Sequence, residues 1–137
     1  MKRNFLGILT TMALALLISV PLSAQSIASV TVPFDFTVGQ TQMSAGTYDI
    51  NPLAHDAIVV RNTKEARSAL SIVRSERSRN SDSGTKLVFN RYGDKYFLSQ
   101  VSRGFGGSVM QLPPSKLEKE LRIASSNVTR KVVVAAK

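Results

Sequence analysis

Short stretches of alternating apolar and polar residues, separated by turn-forming residues, constrain the fold of this 137-residue chain more than any other feature. In residues 29–38 every second position is apolar: Val30, Val32, Phe34, Phe36 and Val38. Because successive side chains of a strand point to opposite faces, this period of two predicts a half-buried strand. Pro33 interrupts the run and has no amide donor, which indicates an edge position or a bulge.

Further short β-prone runs follow at regular spacing along the chain. They cover residues 41–43, 47–50, 57–61, 68–74, 86–92, 95–101 and 109–112. In residues 68–74 the alternation is set by Leu70 and Ile72, and Ala69 is out of phase. We predict a mainly β fold, a small antiparallel sandwich or partly open barrel of about seven strands with one short C-terminal helix.

The best-defined local structure is a β-hairpin around Gly93 and Asp94. This two-residue loop has glycine at its first position, as a type II′ turn requires. Since a tight loop determines the register of the strands that flank it, three facing pairs are predicted. They are Phe89 with Leu98, Asn90 with Phe97, and Arg91 with Tyr96.

The C-terminal helix is predicted from a capping box formed by Ser115 and Glu118, directly after Pro113 and Pro114. We expect it to run to about Ala124, with a narrow apolar stripe of Leu117, Leu121 and Ala124. Residues 129–137 contain three consecutive valines, and the pattern is compatible with a last strand or with a frayed end.

Residues 1–24 have the order of a secretory signal peptide. Lys2 and Arg3 precede an apolar run at residues 5–20, and Pro21 and small residues follow it. The run of about 16 residues is shorter than the roughly 20 that span a bilayer, so we predict cleavage after Ala24. Ala28 is the alternative position.

The expected domain organisation is a signal peptide at residues 1–24, a single β-rich domain at 25–128, and a tail or last strand at 129–137. The mature protein would be periplasmic or extracellular, with no transmembrane anchor after cleavage. It has no cysteine, so disulfides cannot stabilise it and the fold depends on its core.

The chain is basic, with 18 Lys and Arg against 9 Asp and Glu and a net charge of +9. A basic exported protein is attracted to anionic surfaces, such as envelope lipid or acidic polysaccharide. The alternative interpretation is that the charge serves solubility, because the basic residues are spread along the chain.

The densest basic stretch carries the candidate anion-binding residues Arg74, Arg77 and Arg79. Guanidinium groups bind phosphate, sulfate and carboxylate through paired donors. Residues 75–85 contain no large apolar residue and are predicted to form a long exposed loop, so a merely solvated loop is the alternative. No aromatic residue is interleaved with these arginines, which argues against nucleic acid as the partner.

Residues suited to catalysis or metal binding are few. The single histidine, His55, and the lack of cysteine argue against a metal site, and no cofactor motif is present. Asp35 and Asp49 are the candidates for a glycosidase carboxylate pair, but solvated strand positions explain them more simply. His55 beside Asp56 could activate a nearby serine, which makes a small Ser/His hydrolase the enzymatic alternative.

Two stretches resemble a family of small exported proteins found in acidobacterial genomes. Residues 32–39 match its pattern Val-Pro-Phe-x-Phe-x-Val-Gly, and residues 45–48 match the later Ala-Gly-x-Tyr, with Ser44 where the family usually has proline. Residues 86–92, 96–98 and 112–115 are also similar. The family has no assigned activity, so the resemblance carries over no functional residues.

We therefore expect an exported, non-enzymatic binding or structural protein of the cell envelope, engaging anionic surfaces or polymers and needing no cofactor. The alternatives are the Ser/His hydrolase and an assembly subunit that acts by β-strand pairing through an unpaired edge. The sequence leaves the oligomeric state open.

Overall fold

The structure, a computed structural model, describes residues 28–78, 84–104, 107–125 and 130–136. The predicted signal peptide at residues 1–24 and the candidate Arg79 lie outside the described residues. Within them the fold is mainly β, with two open sheets and one short C-terminal helix, so the predicted fold class is confirmed. No helix in these ranges is long and apolar enough to cross a membrane.

In chain order the elements are β1 (Ala28–Val32), β2 (Phe36–Val38), β3 (Thr41–Met43), β4 (Gly46–Ala54), β5 (Ala57–Asn62), β6 (Ser68–Ile72), β7 (Arg74–Arg77), β8 (Lys86–Tyr92), β9 (Lys95–Ser102), β10 (Ser108–Gln111), α1 (Lys116–Ala124) and β11 (Arg130–Ala135). The small sheet has the order β1-β4-β5-β6 and is antiparallel throughout. The large sheet has the order β11-β8-β9-β10-β7, and β2 joins it beside β9, with β3 beyond β2.

One core is shared by the two sheets. The small sheet contributes its inward side chains, among them Tyr48, Ile50 and Ile58, and the large sheet contributes Phe36 and Phe89 among others. Their aromatic rings meet edge to face, with centroids 5.0 Å apart for Phe36 and Tyr48 and 5.3 Å apart for Phe36 and Phe89. Such contacts add to the area that the rings bury and hold the two sheets together.

The prediction of one continuous strand over residues 29–38 is wrong, because the chain changes sheets at Pro33. β1 pairs with β4 in the small sheet, whereas β2 belongs to the large sheet. Pro33 cannot donate to a β ladder, and the Asp35 carboxylate accepts a 2.8 Å hydrogen bond from the amide of Ala45, which fixes the bend. β1 is an edge strand, in agreement with the expectation from Pro33.

A second change of sheet occurs at Val73. β6 ends the small sheet, and β7 begins directly after Val73 and pairs with β10 in the large sheet. The predicted loop over residues 75–85 is therefore wrong for residues 75–77, which belong to β7. Here β pairing with β10 satisfies the backbone of a polar segment that has no apolar side chains of its own.

The predicted hairpin is confirmed, both in the position of its two-residue turn and in the register of its strands. In the pairing of β8 with β9, Phe89 faces Leu98, Asn90 faces Phe97, and Arg91 faces Tyr96. Gly93 has φ +63°, in the left-handed region that favours glycine. Beyond the predicted pairs the register shifts, because Ser99 is an extra residue in β9 and its hydroxyl donates to the Val88 carbonyl at 3.0 Å.

At the C-terminal end, the structure shows a last strand where the sequence left two possibilities open, and it contradicts the predicted packing face of the helix. Residues 130–135 form β11, which pairs with β8, so the tail is a strand in this part. Ser115 caps α1 by accepting from the Glu118 amide at 3.2 Å, as predicted. The Glu118 carboxylate, which the capping box assigns to the Ser115 amide, instead accepts from Asn90 and Tyr92 of β8. The predicted apolar stripe is wrong as a packing face: Leu117 is exposed, and Glu118 is the buried residue of the helix.

Candidate functional site

The predicted anion-binding arginines do not form one cluster within the described residues. Arg74 and Arg77 lie at the two ends of β7, opposite Gln111 and Ser108 of β10. Because side chains alternate along a strand, positions three apart lie on opposite faces. Arg74 and Arg77 are thus directed to different sides of the large sheet, and both are exposed.

Arg74 lines a cleft of about 740 Å³ where three segments of the chain meet. The segments are the β4–β5 turn at residues 55–56, the corner at residues 72–75, and the connection from β10 toward α1 at residues 111–113. This convergence brings the single histidine and Arg74 into one cleft, although they belong to separate parts of the sequence.

Hydrogen bonds join the walls of this cleft. The Val73 amide donates to the Asp56 carbonyl at 2.7 Å, and the Ser75 hydroxyl donates to the His55 carbonyl at 3.2 Å. These two contacts hold the β4–β5 turn against the corner between β6 and β7. On the other wall, the Leu112 amide donates to the carbonyl of the bulge residue Ser99 at 2.9 Å.

The cleft is apolar at its base and polar around its rim. Val73 and Leu112 are buried and form the apolar base. His55, Asp56 and Arg74 are exposed at the rim. Arg74 offers a cationic fork to a carboxylate or phosphate, whereas Asp56 repels an anion, so an anionic group fits only on the Arg74 side.

An apolar surface adjoins this cleft on the outside of the small sheet. Leu70 and Ile72 of β6 are 61% and 69% exposed, and Leu53 of β4 is 66% exposed. Ala54 and Ile72 both face Ala57 of β5, which places Leu53 at the same end of the sheet as Ile72. We call Leu70 and Ile72 the apolar patch; Leu53 is a further exposed apolar residue at this end of the sheet.

The apolar patch lies on the face of β6 that carries its large apolar residues. Leu70 and Ile72 set the alternation of this run in the sequence, but Ala69, which is out of phase, and Ser71 point into the core. The large apolar side chains therefore face solvent on this strand, and a small and a polar one fill the interior. Sequence alternation identifies two faces but does not say which one is covered.

The arrangement required for a Ser/His nucleophile is not formed by Ser75 and His55. The Ser75 hydroxyl donates to the backbone carbonyl of His55, whereas nucleophile activation needs the imidazole as acceptor. The Asp35 carboxylate holds the bend after β1, and Asp49 faces Arg61 across β4 and β5. In the part of the chain that the structure covers, no three His, Cys, Asp or Glu residues are placed to hold a metal ion.

No protein-family model, curated protein or solved structure matches the chain. The resemblance to exported acidobacterial proteins thus stays a prediction.

The residues that sequence reasoning missed are those of the connection after β10. Gln111, Leu112 and Pro113 lie far from Arg74 in the sequence and reach the cleft only because β7 pairs with β10. The sequence signal for that pairing is weak, since β7 has no apolar residue. Arg74 itself was identified from charge density, and His55 from being the single histidine.

Proposed function

We propose that this protein is an exported, non-enzymatic binding protein of the cell envelope that engages anionic lipid surfaces through the apolar patch and Arg74. One observation carries the proposal: Leu70 and Ile72 face solvent on β6 while Ala69 and Ser71 occupy the core face. Large apolar side chains grouped at a surface are typical of interaction sites.

A lipid surface satisfies both parts of this site. Burying an exposed Leu or Ile side chain in an apolar medium contributes about 1.5–3 kcal/mol. A basic residue near an anionic membrane adds about 1 kcal/mol, and Arg74 follows Ile72 by two residues. An acidic polysaccharide would engage Arg74 but would leave Leu70 and Ile72 in water, so it matches the site less well.

Export is the second part of the proposal, and it is supported by the sequence. The order of charge, apolar run, proline and small residues in residues 1–24 is typical of a signal peptide. The net charge of +9 favours approach to the anionic surfaces that an exported protein meets.

Sedimentation with vesicles tests the lipid interaction. The exported protein is mixed with vesicles of phosphatidylglycerol and phosphatidylcholine, or of phosphatidylcholine alone. We expect binding to the anionic vesicles, a loss of affinity of about tenfold or more in Leu70→Ser/Ile72→Ser, and a smaller loss in Arg74→Gln. High salt should weaken the Arg74 contribution and spare the apolar one.

Val133→Ser is the matched control, because Val133 is an exposed valine on β11 of the other sheet. Its affinity should equal that of the wild type, and all variants should melt as the wild type does. Equal binding by the Leu70/Ile72 variant and the wild type would overturn the proposed site. Binding to acidic polysaccharide that depends on Arg74 alone would replace lipid by a polymer partner.

Strand pairing is the second candidate, and the position of β6 favours it. β6 is an edge strand of the small sheet, and its exposed apolar residues could meet those of another β6. A dimer in solution that Leu70→Ser/Ile72→Ser converts to monomer would support this candidate over the lipid interaction.

A further inference from the structure

Two arginines face each other on the large sheet. β11 pairs with β8 antiparallel, and in this register Arg130 lies directly opposite Arg91. Residues directly opposite in such a pair lie on the same face with Cβ atoms about 4.5–5.5 Å apart, and like charges there are destabilising. The β11–β8 edge is at the other side of the large sheet from β7, so this pair is separate from the cleft.

Arg91 is held in place by contacts of its own. Its Nε donates to the Gly93 carbonyl at 2.6 Å, and its guanidinium carbon lies 5.3 Å from the centre of the Tyr96 ring. The Tyr96 ring in turn stacks on Phe34, with centroids 4.0 Å apart and planes 17° from parallel. A guanidinium supported by a stacked ring loses little freedom when it binds an anion.

No carboxylate neutralises the two charges among the residues that the structure describes, since neither Arg91 nor Arg130 forms an ion pair there. The small sheet provides the contrast, because its exposed Arg61 lies directly opposite Asp49. Arg61 therefore has an opposite charge as its cross-strand neighbour, whereas Arg130 has a like charge.

A tetrahedral oxyanion is the ligand that we expect these two arginines to share. Tyr96 and Gly93 hold the Arg91 guanidinium on the β9 side of β8, and the exposed Arg130 would reach the anion from β11. Phosphate and sulfate offer several acceptor oxygens and enough negative charge to bridge two arginine forks. Binding would also remove the repulsion between Arg91 and Arg130, so the anion would stabilise the pairing of β11 with β8.

We propose that Arg91 and Arg130 form a binding site for a phosphate or sulfate group, distinct from the proposed lipid-contact surface. The group is either a free anion or the phosphomonoester headgroup of a lipid. The site is built by strand register and by the ring support of Arg91, and it depends on neither the apolar patch nor Arg74.

Calorimetric titration with inorganic phosphate and with sulfate, at constant ionic strength set by chloride, tests this site. We expect saturable binding of both anions, weakened at least tenfold in Arg130→Gln and in Arg91→Gln. Arg61→Gln is the matched control and should bind as the wild type does. The proposal would be overturned if phosphate and sulfate bound no more tightly than chloride, or if Arg61→Gln lost as much affinity as Arg130→Gln and Arg91→Gln.

Thermal melting separates binding from damage to the fold. In chloride, Arg130→Gln should melt no lower than the wild type, because the substitution removes a like-charge pair. In phosphate, the wild type should gain stability and Arg130→Gln should not. A variant that melts lower in chloride and gains as much in phosphate would show that Arg130 has a structural role only, and would overturn the site.

Vesicles of phosphatidic acid distinguish the two sources of the anion. If Arg130→Gln binds these vesicles more weakly than the wild type does, the ligand is the lipid headgroup. If Arg130→Gln weakens only the binding of inorganic phosphate, the ligand is the free anion. Leu70→Ser/Ile72→Ser should keep phosphate affinity unchanged, so the failure of either proposal is visible independently of the other.

Discussion

The side-chain amide of Asn90 on β8 donates a 2.8 Å hydrogen bond to the carboxylate of Glu118 on α1. The Tyr92 hydroxyl donates to the same oxygen at 3.3 Å, and Glu118 is only 4% exposed. The helix is therefore attached to the large sheet by a buried carboxylate, while Leu117 and Ile123 of the same helix are exposed. A polar contact takes the place of the apolar stripe that helix periodicity predicts.

Glu118→Ala should lower the free energy of unfolding by about 2 kcal/mol, since a buried donor left without a partner costs about 1–3 kcal/mol. The donors affected are Asn90 and Tyr92. Urea denaturation followed by circular dichroism measures the loss. Glu120→Ala, at an exposed position of the same helix, should change stability by less than about 0.5 kcal/mol.

The same contact predicts coupling between Asn90 and Glu118. In a double-mutant cycle with Asn90→Ala, the loss of stability in the double variant should differ from the sum of the two single losses by about 0.5–3 kcal/mol. Strict additivity, or equal losses in the Glu118 and Glu120 variants, would show that the carboxylate does not hold the helix.

Gly93→Val should destabilise the hairpin by about 1–2 kcal/mol, because Gly93 has φ +63° and a left-handed conformation is unfavourable for a residue with a branched Cβ. The space around an added Cβ is open, so backbone strain is the cause rather than a clash. Gly93→Asn should lose less, since asparagine tolerates this region. Melting temperatures measure both, and equal values would contradict the strain argument.

Ser115→Ala should lower stability by about 1 kcal/mol, because Ser115 accepts the Glu118 amide at the start of α1. Ser115→Asp should be nearly neutral, since aspartate is an equally good N-cap residue. Chemical denaturation of the two variants decides the point, and indistinguishable curves would mean that the cap contributes nothing.

Removal of the signal peptide is predicted to leave a chain that begins at Gln25 or within a few residues of it. The exported protein is collected from the periplasm or medium, and its intact mass is measured. A membrane-bound chain that still begins at Met1 would contradict this prediction and the export on which the proposed function depends.

Part of the candidate site could be predicted from the sequence, and part could not. Arg74 can be identified because it belongs to the densest basic stretch, and His55 because it is the single histidine. Both facts are read directly from the sequence. That they share a cleft with Leu112 depends on the pairing of β7 with β10, which no local pattern specifies. The facing pair of Arg91 and Arg130 likewise requires the register of β11 on β8.

The sequence by itself determined the features that depend on neighbouring residues. The Gly93 turn determines the register of Asn90 opposite Phe97, and Ser115 caps its helix, because each of these interactions spans only a few positions. The mainly β class follows in the same way from short alternating runs, since their period is a local property.

Tertiary structure alone decided which faces are buried and where strands change sheets. Ala69 lies in the core and Leu70 in solvent, and the sequence does not decide between these two orientations because a period of two fits either face equally well. Glu118 is buried because Asn90 and Tyr92 supply donors that the helix sequence cannot indicate. Burial and polar satisfaction are properties of the assembled core, so they emerge only when distant segments pack together.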